Sequence, residues 1–194
     1  RRLHLTDVQF YDWAYRHADL LGGGESYADP LGNVVALDTV RELVRACRTV
    51  GARALGYAAV YAVGQQEWPR WRSHALLDAE GNPYALGDFL RVVDPGDPAW
   101  TTHFGDDLSA AVRAVGFDGF HLDQYGWPKV AVTPQGERVD LAERFVTFIE
   151  AVRHRLPHAR LVFNNVNDFP TWATARADQD AVYIEVWEPH TTLA

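Results

Sequence analysis

Apolar residues along this chain follow two alternating rhythms. DVQFYDW (7–13), RALGYAAVY (53–61), DGFHLDQY (118–125), RLVFNNV (160–166) and AVYIEVW (181–187) are largely apolar runs of strand length. Between them apolar positions recur every three or four residues, as on one face of a helix. Leu37, Val40, Leu43, Val44, Cys47 and Val50 make one such face, with Asp38 or Thr39 placed to cap it. Leu108, Ala111, Val112 and Val115 make a second, opened by Asp106 or Asp107. Leu141, Phe145, Phe148, Ile149, Val152 and Leu156 make the third, which Pro157 stops, and a shorter helix is predicted near Pro170. Strict alternation of strand and helix predicts parallel βαβ units in a single α/β domain over 1–194. No Gly-rich phosphate-binding turn follows any strand, which weighs against a nucleotide-binding doubly wound sheet. Residues 62–105 are too long for a simple connection and include a predicted hairpin turn around Glu80 to Pro83. In a barrel, such an excursion after the carboxyl end of a strand builds the mouth of a site.

Side-chain parity sorts the polar residues. Successive strand residues face opposite sides, so Phe120 and Leu122 form an outward apolar pair and His121 and Asp123 face inward. In AVYIEVW, Val182, Ile184 and Val186 form the outward set and Tyr183, Glu185 and Trp187 the inward one, which leaves Glu188 on the rim. Asp118 has the opposite parity to Asp123 and lies at the amino end of its strand, where it is read as fixing the turn into the strand. No Lys or Arg lies late in any of the five strands to neutralise Asp123 or Glu185. Glu185 follows Asp123 by 62 residues, about two βα units of roughly 30 residues each, with the Asn164 strand between. Alternate barrel strands lie about 10 Å apart along the wall and feed one interior layer. Their carboxyl groups can then converge to about 5–6 Å, the spacing of nucleophile and acid/base in retaining glycosidases.

Composition narrows the partner. The 194 residues are 47% hydrophobic and 12% aromatic with a net charge of −8. That supports a substantial core, argues against nucleic acid as a partner, and leaves no apolar stretch long enough to span a membrane. Cys47, the single cysteine, is read as a small buried hydrophobe. His121 and Asp123 with His17 or His190 lack the spacing of a zinc set, so neither metal nor cofactor is expected. The strand-end residues suit a sugar instead, with hydrogen-bonding groups beside flat apolar rings. The candidate substrate-binding residues are Asp12, Trp13, Tyr15, His17, Tyr57, Tyr61, His121, Gln124, Asn164, Asn165 and Trp187.

VQFYDWAYRH, GFDGFHLDQYG and VYIEVWE, in that order over nearly the whole chain, resemble glycoside hydrolase family 66, the dextranases and cycloisomaltooligosaccharide glucanotransferases. The resemblance implies an α/β fold of the (β/α)8 TIM-barrel type that cleaves α-1,6-glucan with retention of configuration. Asp123 matches the family's nucleophile on the fourth strand, and Glu185 its general acid/base on the sixth. Phe120 stands where the family has Trp, on the outward face. The implied activity is endo-cleavage of dextran by double displacement. A cyclising transglycosylase and a non-catalytic carbohydrate-binding barrel fragment are the alternatives. The implied partner is an α-glucan polysaccharide or oligosaccharide, and its size places the protein outside the cell, although no signal-peptide pattern is visible. The five strands correspond to the second to sixth of such a barrel, so an incomplete barrel is expected. Its open edges would need missing barrel segments or self-association to cover them.

Overall fold

The computed structural model describes residues 4–190. Five parallel strands pair in chain order: β1 (Asp7–Phe10), β2 (Arg53–Ala59), β3 (Gly119–Asp123), β4 (Arg160–Val166) and β5 (Ala181–Glu185). The helices α1 (Leu37–Thr49), α2 (Pro98–Val115) and α3 (Leu141–Arg155) lie in the first three crossovers, and the single turn α4 (Thr171–Thr174) lies in the last. β3 is central, with Ala59 of β2 beside Asp123 and Val162 of β4 beside His121.

The outward parity builds the core. Phe120, Leu122, Leu161 and Phe163 are fully buried among Trp100, Phe104, Phe145 and Phe148 of the helices. The Phe145 and Phe163 rings meet at 5.2 Å and those of Phe104 and Phe148 at 5.7 Å. Apolar burial of this kind is the main force seating helices on a sheet.

The structure corrects several boundaries. α2 begins at Pro98, more than two turns before Asp106, and Asp97 caps it by accepting the backbone N–H groups of Ala99 and Trp100. Trp100 and Phe104 extend the same face as Leu108, Ala111 and Val115, which the Thr pair and Gly105 disguise in the sequence. Asp106 and Asp107 are therefore mid-helix. Asp106 pairs with Arg155 and Asp107 accepts the Leu20 N–H. α1 begins at Leu37 with no side-chain cap, and Asp38 sits in its first turn, 2.8 Å from Arg41. β1 stops at Phe10, and two residues on Asp12 adopts φ 47°, a left-handed conformation that ends extended pairing.

The excursion after β2 is itself ordered. Ala62–Gly64, Ala85–Leu86 and Leu90–Val92 form a three-stranded antiparallel sheet. The turn at 78–82 is held by the Asp78 carboxylate, which accepts from the Glu80 and Asn82 backbone N–H groups. The Trp100 indole donates to the Val60 carbonyl at 2.8 Å and ties the start of the excursion to α2.

Asp118 sits at the base of β3 as expected. One carboxylate oxygen accepts the Ala54 N–H at 2.9 Å and the other faces Arg48 at 3.1 Å. Asp118→Ala leaves the Ala54 N–H without its acceptor and is expected to lower stability by about 1–2 kcal/mol. Urea unfolding checks this, and an unchanged midpoint would remove the residue from that role.

Among the described residues β1 and β5 have one strand neighbour each. Val182 and Val186, expected beneath a helix, are instead 42% and 37% exposed. No full helix follows β5 among the described residues to cover them.

Candidate active site

Asp123 ends the central strand, where every residue is buried. Its carboxylate receives one donor from each neighbouring strand. The Tyr57 hydroxyl on β2 donates to Oδ2 at 2.6 Å, and the Asn164 amide on β4 donates to Oδ1 at 2.7 Å. The same Asn164 nitrogen donates to Glu185 Oε2 on β5 at 2.8 Å. Asn164 is 1% exposed, and its side-chain oxygen Oδ1 is buried without a partner among the described residues. Its amide is therefore oriented by the two carboxylates rather than by the scaffold. The two carboxylate oxygens cannot be farther apart than these contacts laid end to end, about 5.5 Å. For comparison, the two carboxyl groups of retaining glycosidases lie about 5–5.5 Å apart.

The electrostatics of the pair are mixed. Burial pushes the Asp123 carboxyl above its ordinary value, while the bonds from Tyr57 and Asn164 and the nearby His121 pull it back and Glu185 raises it further. His121 is held below its ordinary value by burial, against the pull of Asp123 and Glu185. Its ring lies parallel to Tyr57 at 6.3 Å and edge-on to Tyr183 at 5.1 Å. Burial also drives the Tyr57 phenol well up, so Tyr57 acts as a neutral donor. Asn164→Leu keeps the branched shape of the side chain and removes the shared donor. The Asp123 carboxyl is then expected to titrate at higher pH than in wild type, because a bond that favours its ionised form is lost. Carbon-13 NMR titration of the carboxyls measures this, and a downward or absent change would refute it.

Beside the pair lies a cleft of about 200 Å³. Tyr11, Tyr57 and Tyr125 wall it on the sheet side, and Leu20, Phe89 and Leu90 wall it on the loop side. Tyr11 and Tyr57 lie 4.1 Å apart. Asp12 opens onto the cleft from an exposed position, and burial raises its carboxyl. His17 also lines it, with its ring edge-on to Phe89 at 5.8 Å, and burial lowers its imidazole to about 4.

The other expected contact residues have structural work. Trp13 is 1% exposed, donates its indole N–H to the Tyr57 carbonyl and packs on Phe117, so it backs the wall instead of offering a free face. Tyr61 is fully buried, donating to the Trp127 carbonyl and accepting from the Tyr125 N–H. Gln124 is 1% exposed and spends its amide on the Asn164 and Phe169 carbonyls and the Gly126 N–H. Asn165 is fully buried, bonded to the Phe163 and Tyr183 carbonyls and to Thr174. Tyr15 is enclosed between Tyr27 and the Arg16 guanidinium. Trp187 stands 57% exposed past the end of β5. Strand parity separates inward from outward but cannot tell a ligand-facing amide from one that locks loops together. Tyr11 and Phe89 are cleft residues that the sequence reading missed. The Gly87-Asp88 turn before Phe89, inside the excursion, is the one signal that pointed there.

Among the described residues no group of three or more His, Cys, Asp or Glu is placed to hold a metal ion. Two carboxylates on one donor, at the carboxyl ends of alternate strands in a parallel α/β sheet, are the geometry of a barrel glycosidase. The sequence matches Glycosyl hydrolase family 66 over residues 1–194, and the chain belongs to that family. A cycloisomaltooligosaccharide glucanotransferase of Niallia circulans is 26% identical over 208 residues, covering 95% of this chain and 21% of the relative. A dextranase of Streptococcus salivarius is 27% identical over 166 residues, covering 76% of this chain and 20% of the relative. The chain thus spans about a fifth of the length of these curated relatives. A solved cycloisomaltooligosaccharide glucanotransferase of Paenibacillus sp., complexed with cycloisomaltoheptaose, superposes with a TM-score of 0.82 at 21% identity over 94% of this chain and 30% of that one. A maltogenic α-amylase of Thermotoga neapolitana superposes with a TM-score of 0.57 at 13% identity, over 92% of this chain and 40% of that one. These likenesses fix the fold as an incomplete TIM-type barrel.

Proposed function

We propose that this chain carries the reacting centre of a retaining α-glucan glycosidase that cleaves α-1,6-glucan internally by double displacement. The observation that carries the reading is the single Asn164 amide gripping both Asp123 and Glu185. Asp123, with both oxygens fixed by donors, attacks the anomeric carbon and forms a glycosyl ester. Glu185 gives its proton to the departing glycosidic oxygen, then takes one from the incoming water. The names of the relatives, a dextranase and glucanotransferases of cyclic isomalto-oligosaccharides, support an α-1,6-linked glucan as substrate. The glucanotransferase relatives favour a second reading in which a sugar hydroxyl replaces water and the product is cyclic. A polymeric substrate argues for action outside the cell.

Incubation with dextran tests the proposal. New reducing ends whose first-formed anomer is α by proton NMR are expected, and cyclic products would select the transfer reading. A first-formed β anomer would overturn the retaining mechanism. Binding without any turnover would leave a carbohydrate-binding barrel fragment in its place.

A further inference from the structure

His17 and Leu20 reach the cleft from one tight turn. The Arg16 N–H donates to the Asp19 carbonyl and the Tyr15 N–H to the Leu20 carbonyl, both at 3.0 Å. His17 and Ala18 are therefore the tip of a short hairpin. The Arg16 guanidinium ties its base to the Ala28 carbonyl and to Gln66. Three glycines, Gly22 to Gly24, follow the turn directly, and Gly24 adopts φ 73°. Glycine leaves a backbone many accessible conformations, so a fixed tip beside such a run needs a further hold.

Helix α2 supplies that hold. His103 Nε2 lies 2.8 Å from the Ala18 carbonyl oxygen, and Asp107 Oδ2 accepts the Leu20 N–H at 3.1 Å. A carbonyl can only accept, so Nε2 carries the proton. The two residues are four apart and share one face of the helix, with Nε2 and Oδ2 3.9 Å from each other. The His103 ring packs on Trp71 at 4.9 Å and Trp100 at 6.1 Å, which fixes its direction. One residue of the tip thus meets α2, and the other, His17, meets Phe89 in the cleft wall.

We propose that His103 and Asp107 are positioning residues for the reacting cleft: as a two-point clasp on the Ala18 carbonyl and the Leu20 N–H, they fix where His17 and Leu20 stand in its wall. Neither residue lines the cleft, so both act through the turn. Asp123, Glu185, Tyr57 and Asn164 stand on β2 to β5, away from this turn. Loss of the clasp therefore weakens substrate binding and spares the chemical step. That consequence rests on the α-glucan reading of the site, whereas the placement of His17 does not.

Nitrogen-15 NMR titration of the His17 imidazole tests the clasp without relying on turnover, because burial holds that group at about 4. His103→Phe keeps the packing on Trp71 and Trp100 and removes the donor, and Asp107→Leu removes the acceptor. Together they are expected to move the His17 titration toward its ordinary 6.5. His103→Gln with Asp107→Asn supplies a donor and an acceptor again and should hold it at about 4. Titration still at about 4 in the disrupting pair, or an equal rise in the conservative pair, would overturn the inference. Should the disrupting pair fail to fold, the Leu20 amide of wild type decides. Hydrogen exchange roughly 10-fold or more slower than that of an unprotected amide is expected there, and unprotected exchange would refute the clasp. On dextran the disrupting pair is expected to raise KM about 5- to 10-fold with kcat changed by about 2-fold or less. A fall in kcat at unchanged KM would remove the positioning role. Wild type without turnover would sink the α-glucan reading alone, and the His17 titration would still judge the clasp.

Discussion

Asp123→Asn is expected to reduce glucan cleavage by roughly 10⁴-fold or more, within the range seen when a covalent nucleophile is removed from other enzymes. The amide is nearly isosteric with the carboxylate. The strand can persist, the new amide oxygen can still accept from Asn164, and the Tyr57 hydroxyl can turn to accept from the new NH2 group, so the loss reports chemistry and not folding. Asp123→Gly sharpens the test. With the carboxylate gone, azide can enter the vacated space and attack the anomeric carbon from the nucleophile's side. From an α-glucan this gives a β-glycosyl azide, with one inversion and no ester. Formation of that product would identify Asp123 as the attacking group. Near-normal turnover of Asp123→Asn on dextran would dismiss the assignment outright.

Glu185→Ala is expected to behave in the complementary way. General acid–base assistance is worth roughly 10²- to 10⁴-fold, and the full loss should fall on substrates with a poor leaving group. An α-glucosyl fluoride, which departs without protonation, should still form the ester at Asp123. The ester then waits for a nucleophile that needs no base. Azide again supplies one, but here it attacks the ester and gives the α-glycosyl azide after two inversions. Opposite anomers from the two variants would be hard to produce with any other division of roles. If Glu185→Ala impaired the fluoride and dextran equally, Glu185 would not be the proton donor.

How much of this was legible in the sequence differs by element. The five strands and their parallel order follow from alternation, because Phe120, Leu122 and Phe163 must meet the helices and nothing else on the chain can cover them. The parity of His121, Asp123 and Glu185 follows from the same constraint. The start of α2 was not legible, because Gly105 and two threonines interrupt the local preference while the buried face of Trp100 and Phe104 overrides it. Gln124, Tyr61 and Asn165 looked like cleft residues for a related reason. A polar side chain late in a barrel strand can serve a ligand or an orphan backbone group, and only the three-dimensional course of the loops decides which. Asn164 was legible only as a polar residue on the strand between the two carboxylates. Its grip on both carboxylates was not, because that depends on β5 presenting Glu185 one pleat higher than Tyr183, its partner in register.

The bonds around Asp123 have a further consequence. Its donors come from the strands on either side, and the second carboxylate comes from the strand after next. Tyr57, His121, Asn164 and Glu185, the groups that act on the Asp123 carboxyl, therefore lie in one unbroken run of chain. β1 itself supplies no residue to the cleft, and Tyr11, just past its end, reaches the carboxylate only through Tyr57. A gene segment encoding this run carries these four side chains together, so recombination at its flanks would move them as one unit.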